Sequence, residues 1–226
     1  MKSFTALVSL GYRCRSTQRL RAFFGVESAY PFDWWVSPLK GAARLLRDWD
    51  VEPLLDIDML QEVHAGRHIA YVRHRRYGIK LQHDFPLDRK YIAPGWQEHI
   101  PAAKSRISHL MKKLDRLNRP GHRVLFCREL SDFEPAEPKL INELREAAAA
   151  RTPLAEHEFL LISRSGMPAK GWISLRVDDP NPEPWSGDPA IWDRSLGSLG
   201  FRFESLQDEA SASDPAERAG DTAPLG

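Results

Sequence analysis

Short apolar runs and helix-like apolar spacings follow one another along this chain. The runs at Phe4–Leu10, Val124–Cys127 and Phe159–Ser163 are short and mainly apolar, as expected for buried strands. Between them, apolar residues recur three and four positions apart, which predicts amphipathic helices. The predicted helices begin at Cys14, at Pro38 with Ser37 as the N-cap, at Pro101 and at Pro138, and they end near Gly25, Trp49, Leu117 and Ala150. The prolines at three of these starts and the glycine at Gly25 are typical residues for helix starts and helix ends.

The segment between residues 51 and 81 has a weaker pattern. We expect one or two short helices over Val51–His64, followed by strands at His68–Val72 and Tyr77–Leu81. Later strands are expected at Trp172–Val177 and Phe201–Glu204. The alternation of helices and strands predicts a single layered α/β domain over residues 1–206, in which helices flank a mixed, partly parallel central sheet. Residues 207–226 lack periodicity and predict a disordered tail.

Composition and charge narrow the range of functions. The chain has 226 residues and a formal net charge of +1, which gives no reason to expect a nucleic acid or an anionic membrane as partner. Its apolar segments are too short to span a membrane, and its first residues do not have the pattern of a signal peptide. The two cysteines match neither a disulfide framework nor a zinc motif. We therefore expect a soluble cytoplasmic protein with reduced thiols.

Cys14 is the strongest candidate for chemistry. It follows a predicted strand and a turn at Gly11, and it opens the next predicted helix. A helix N-terminus favours the thiolate over the thiol, and the flanking Arg13 and Arg15 would favour it further. This position predicts a nucleophilic cysteine. The alternative is a small buried residue that packs the helix against the sheet.

A cysteine nucleophile needs a base, which is normally a histidine. Of the eight histidines, His83 is the best candidate, because it ends a predicted strand and precedes Asp84. The carboxylate that orients the imidazole is expected to be Asp84 or Asp33, and both remain open. Neighbouring strand residues point to opposite faces, which counts against Asp84 if the strand continues through it. Asp33 lies in the aromatic segment Tyr30–Trp35, which could instead be a core segment in which Asp33 caps a turn.

Three residues are expected to bind a ligand near these groups. Gly11 and Trp34 lie in the two segments that would shape a pocket, and Arg128 follows a buried strand, where ligands bind in open α/β sheets. The basic segment Arg73–Arg76 could bind an anionic group or could be a solvated turn.

Cofactor and metal motifs are not expected. His64 and His68 are four residues apart, but the glutamate of the metalloprotease motif is missing and Gly66 weakens a helix between them. The chain also lacks the glycine motifs that bind nucleotide phosphates and dinucleotides. We therefore predict no metal and no organic cofactor.

The order of three short motifs resembles a bacterial family of unknown function, the DUF1796 family, which is catalogued as papain-like cysteine peptidases. The motifs are SLGYRC at 9–14, PFDWW at 31–35 and HDF at 83–85. The resemblance covers Val8–Phe85 closely and continues more loosely to about Ser163. It implies a nucleophile at Cys14, a base at His83 and Asp84 or Asp33 as the third member. It also implies a papain-like α+β fold as the alternative architecture.

Two functions are compatible with these observations. The first is thiol-dependent acyl transfer by a hydrolase, peptidase or acyltransferase: Cys14 attacks a carbonyl carbon, His83 moves the proton and backbone N–H groups stabilise the oxyanion. The second is a non-catalytic α/β module that binds a sugar or a nucleotide-linked ligand in surface-polysaccharide metabolism. In the second function Cys14 is a packing residue, and Arg128 with Arg73–Arg76 holds an anion. The substrate or ligand would be a small molecule, a peptide or a glycan.

Overall fold

The computed structural model describes residues 1–130, 136–179 and 187–204. The helices are α1 (Cys14–Phe24), α2 (Leu39–Asp48), α3 (Val51–Leu54), α4 (Ile100–Arg116), α5 (Pro138–Arg151) and α6 (Pro189–Gly197). The strands are β1 (Lys2–Phe4), β2 (Ala6–Ser9), β3 (Leu60–Ala65), β4 (His68–His74), β5 (Lys80–Leu81), β6 (Leu87–Asp88), β7 (Tyr91–Ile92), β8 (Arg123–Glu129), β9 (Glu156–Ser163), β10 (Ile173–Arg176) and β11 (Phe201–Phe203). Short 3-10 helices cover Pro31–Trp34, Ile57–Met59 and Trp96–His99.

Parallel strands form the main sheet, whose order within the described residues is β10–β9–β8–β2. Ser9 pairs with Cys127, so the carboxyl ends of β2 and β8 lie side by side. β1 pairs in parallel with β11 instead. Thr5 separates β1 from β2, and its N–H still donates to the carbonyl of Arg123 at 2.8 Å. The β1–β2 segment is therefore joined to both β8 and β11.

The main sheet lies between two layers of helices. Leu125 of β8 faces one hydrophobic cluster together with Leu20 of α1 and Trp192 of α6. Phe126, the next residue, faces the other cluster with the buried residues of α2, α4 and α5. Successive strand residues alternate between faces, so consecutive apolar residues of β8 supply both clusters. This arrangement confirms the predicted α/β class with a mixed, partly parallel set of strands.

The antiparallel strands form a second sheet in the order β3–β4–β7–β6, with β5 also paired to β4. Here the prediction of one or two helices over Val51–His64 is only partly correct. A helix covers Val51–Leu54, but Leu60–Ala65 is a strand that pairs with β4. Its register shifts between Val63 and His64. Such a bulge interrupts the alternation of apolar and polar side chains that identifies a strand in a sequence.

The helices begin and end close to the predicted residues. α1 begins at Cys14 and is closed by Gly25, whose φ of +65° is in the left-handed region that glycine favours. α2 begins at Leu39, with Pro38 as its N-cap, one residue later than the N-cap predicted at Ser37. The Ser37 hydroxyl instead accepts a hydrogen bond from the Tyr12 N–H.

The predicted tail at 207–226 lies outside the described residues. In the described ranges, no helix has both the length and the apolar character needed to cross a membrane.

Candidate functional site

The turn between β2 and α1 is tightly constrained. Gly11 has a φ of +82° and Tyr12 a φ of +84°, a region that side chains other than glycine rarely adopt. A Cβ atom on Gly11 would lie 1.8 Å from Ser37 Oγ, so this position requires glycine. The Gly11 N–H donates to Ser9 Oγ at 3.0 Å and the Tyr12 N–H donates to Ser37 Oγ at 3.4 Å. These contacts fix the point at which Cys14 enters α1.

Arg128 supports this turn from inside the protein. Its side chain is fully buried, and Nη1 donates to the carbonyl oxygens of Leu10 at 2.9 Å and Ser37 at 2.8 Å. The sequence predicted Arg128 as a substrate contact. A guanidinium without exposed surface does not meet a ligand from solvent, so in this structure Arg128 positions the turn.

Cys14 is half-buried at the first position of α1. Burial is the largest influence on its thiol and raises its pKa, and the negative charge of Glu129 raises it further. The backbone N–H groups of Cys14 and Arg15 and the charge of Arg13 lower the pKa. The helix N-terminus therefore acts in the predicted direction, but burial outweighs it. The thiol is protonated at neutral pH.

Glu129 acts electrostatically on Cys14 and was not among the residues predicted from the sequence. It ends β8, directly beside the strand that leads to Cys14, and its Oε1 forms an ion pair with Arg15 Nη2. Only 5% of its side chain is exposed, and Oε2 has no hydrogen-bond partner within the described residues. An acidic residue at the carboxyl end of an otherwise apolar strand was the available signal.

His83 and Trp34 lie together in the structure. β5 ends at Leu81, so His83 follows the strand, and its ring lies 6.0 Å from the Trp34 ring between centroids. Burial lowers the pKa of His83, and the charge of Asp84 opposes this effect. Among the described residues, no hydrogen bond joins His83 to Cys14, and neither group shifts the pKa of the other. The Cys14–His83 pair stays a prediction.

Asp84 binds two protein groups. Its Oδ2 accepts a hydrogen bond from Trp35 Nε1 at 2.9 Å, and its Oδ1 accepts one from Arg106 Nη2 at the same distance. Each oxygen of this buried carboxylate therefore already has a donor. The contact of Asp84 with His83 is electrostatic and comes from sequence adjacency.

Asp33 supports the aromatic segment. Its Oδ2 accepts a hydrogen bond from the Tyr30 N–H at 2.9 Å and lies 3.7 Å from Arg21 Nη1. Asp33 is buried and belongs to the 3-10 helix Pro31–Trp34. These contacts match the alternative in which Asp33 caps a turn.

The histidines considered for a metal lie on strands. His64 is in β3 and His68 in β4, where His68 stacks on Tyr91 with ring centroids 4.4 Å apart. His64 Nε2 lies 3.1 Å from Glu62 Oε2. In the part of the chain that the structure describes, no cluster of three or more potential metal ligands is present.

Taken together, the geometry defines an α/β protein with a cysteine at the carboxyl edge of a parallel sheet. No family model matches the chain, and no curated protein and no solved structure is significantly similar to it. The cysteine at this edge and the order of the three motifs are therefore the features that bear on function.

Proposed function

We propose that the protein is a thiol-dependent acyl-transfer enzyme in which Cys14 forms and resolves a thioester. The observation that carries this proposal is the position of the sulfur. It lies, half-exposed, at the start of an eleven-residue helix, where the backbone N–H groups of Cys14 and Arg15 act on it. N–H groups in this position stabilise the oxyanion of a tetrahedral intermediate as well as a thiolate. The motif order that resembles a papain-like family supports the same nucleophile.

The raised pKa of Cys14 sets a requirement on the reaction. A protonated thiol is a poor nucleophile, so a base must remove its proton as the sulfur attacks. His83 is the base predicted from the sequence, and Glu129 is the acidic group beside the thiol. Because burial lowers the pKa of His83, this base is unprotonated near neutral pH, and the acylation rate should change little with pH there.

The reaction can be tested with p-nitrophenyl acetate as the acyl donor. We expect an initial release of nitrophenolate close to one per chain, together with one acetyl group on Cys14 in peptide mass spectrometry. The rate should exceed that of a peptide containing one free cysteine at the same pH. Cys14→Ala should abolish the initial release, whereas Cys127→Ala, the matched variant of the other cysteine, should keep it. An unchanged release in Cys14→Ala, or acetylation no faster than the peptide, would refute the proposal.

One observation favours the second candidate, a non-catalytic module. Within the described residues Cys14 and His83 are not hydrogen-bonded, as expected if Cys14 only packs. Of the cations expected to hold an anion, however, Arg128 is buried and Arg76 pairs with Asp48 at 2.8 Å. Titration calorimetry with a nucleotide-linked sugar and with the free sugar distinguishes this function. Binding of the linked sugar by a Cys14→Ala variant that forms no thioester would favour the module.

A further inference from the structure

The carboxylate of Glu129 lies beside the first turn of α1. Cys127 and Glu129 are two residues apart on β8, so their side chains leave the same face of the sheet. Cys127 packs on that face with Leu20 of α1. The ion pair between Glu129 and Arg15, the second residue of α1, agrees with this direction. The strand register therefore brings a carboxylate to the helix turn that begins with Cys14.

The two oxygens of Glu129 differ in their surroundings. Oε1 is held by the guanidinium of Arg15, which also lies 5.8 Å from the centre of the Trp192 ring. Oε2 is buried without a hydrogen-bond partner among the described residues. A buried carboxylate oxygen without a donor costs free energy, and such exceptions in folded proteins call for an explanation. A proton supplied by a reacting group would satisfy it.

We propose that Glu129 is the general base of the reaction, and that its Oε2 accepts the Sγ proton of Cys14 during attack on the carbonyl carbon. This inference depends on the proposed function. As the S–C bond forms, the carbonyl electron pair moves to oxygen, and the backbone N–H groups at the start of α1 stabilise that charge. When the carbonyl re-forms, the bond to the leaving nitrogen or oxygen breaks, and Glu129 returns the proton to it. Water then attacks the thioester while Glu129 accepts a proton from it. Glu129 passes this proton to Sγ as the S–C bond breaks, which restores the thiol and releases the acid.

The electrostatics of Cys14 support the same pairing. The charged side chains that act on the thiol are Glu129, from β8, and Arg13, which precedes α1. The carboxylate raises the pKa of the thiol, and the guanidinium lowers it. The described contacts of His83 are with Trp34 and Asp84 instead.

Substitution of both members of the ion pair tests this role with two readouts. Glu129→Gln removes the base, and Arg15→Gln breaks the same ion pair but keeps the carboxylate. Glu158→Gln is the matched control, because Glu158 pairs with Lys2 near the opposite end of the strands. The readouts are the rate of Cys14 acetylation by p-nitrophenyl acetate and the pH midpoint of Cys14 alkylation by iodoacetamide. If the buried Cys127 stays unreactive to iodoacetamide, as in the wild-type protein, the variant is folded.

We expect the two readouts to separate in Glu129→Gln. Acetylation should fall by about 10²-fold or more, the usual size of a general-base contribution. Alkylation should shift to lower pH, because a negative charge near the thiol is removed. In Arg15→Gln alkylation should shift to higher pH, since the carboxylate is no longer neutralised. Glu158→Gln should change neither readout.

Each alternative result has a defined meaning. Equal shifts in the same direction for Glu129→Gln and Arg15→Gln would show a structural ion pair and overturn the inference. Full acetylation in Glu129→Gln together with a loss in His83→Gln would overturn it in favour of His83, while leaving the proposed function intact. If the wild-type protein is not acetylated at Cys14, the proposed function and this inference fail together. If Glu129→Gln does not fold, an unchanged alkylation midpoint in Arg15→Gln overturns the inference.

Discussion

Replacing Gly11 with alanine should destabilise the protein more than the same replacement at another glycine with a left-handed φ. Two costs combine at this position. An L-residue in the left-handed region costs about 1–2 kcal/mol, and φ at Gly11 is +82°. The new Cβ would also lie 1.8 Å from Ser37 Oγ and 3.2 Å from Ser37 Cβ, so the Ser37 side chain must leave its present hydrogen bonds or the neighbouring segment must move. Overpacking of this kind costs about 1–3 kcal/mol.

The combined cost is about 2–5 kcal/mol in the free energy of unfolding. Gly25→Ala is the matched control, because Gly25 has a φ of +65° and no atom lies within 4 Å of the position that its Cβ would take. That variant should lose only the conformational cost, about 1–2 kcal/mol. The effect of alanine on the unfolded chain is similar in both variants and cancels in the comparison.

Urea unfolding followed by the fluorescence of the seven tryptophans measures this difference. We expect a lower midpoint for Gly11→Ala than for Gly25→Ala, with similar slopes. The double variant with Ser37→Ala should recover part of the loss, because the nearest clashing atom is removed. Equal free energies of unfolding for the two glycine variants would refute the close approach of the turn to Ser37.

Three further predictions follow from buried polar groups. Asp84→Ala should lower the free energy of unfolding by about 3 kcal/mol, and Asp84→Asn by about 1 kcal/mol, because asparagine keeps an acceptor for the buried Trp35 Nε1. Equal losses of the two variants in urea unfolding would contradict this prediction. Thiol counting with a disulfide reagent should find Cys14 reactive in the native protein and Cys127 reactive only after unfolding, because Cys127 is buried and its pKa is raised well above normal. Rapid reaction of both thiols in the native protein would contradict this prediction. Burial and the hydrogen bond to the Asp48 carboxylate raise the pKa of Tyr77 to about 12. The protonated phenol therefore stabilises the folded protein fully below the usual pKa of about 10, and this stabilisation is lost as the pH rises from about 10 to about 12. Urea midpoints across that range should fall less steeply in Tyr77→Phe, and parallel curves would contradict this.

Local sequence signals predicted the elements of the parallel sheet and the start of α1. Buried parallel strands are continuous apolar runs, and β8 and β9 have this character. The glycine that closes α1 is an equally local signal. The strand Leu60–Ala65 was missed because its bulge breaks the alternation of side chains. These elements were predicted because their patterns depend on neighbouring residues alone.

The roles of charged residues at the site depend on distant parts of the chain and were harder to predict. Arg128 follows an apolar strand and was expected to face a ligand, yet it points inward to the carbonyl oxygens of Leu10 and Ser37. Glu129, the next residue, points to the opposite face and reaches Arg15. The strand pairing decides which of the two lies beside Cys14, and no short motif encodes it.

The pairing of β1 with β11 has a consequence for synthesis on the ribosome. Phe4 is 2% exposed because the rings of Phe201 and Phe203 cover it, at 5.1 Å and 5.6 Å between centroids. These partners are made last among the described strands. At about 5–20 residues per second, the apolar side of the first strand waits roughly 10–40 s for its cover. During that interval the nascent chain carries an apolar strand side without its cover, and such a surface is a natural contact for a chaperone.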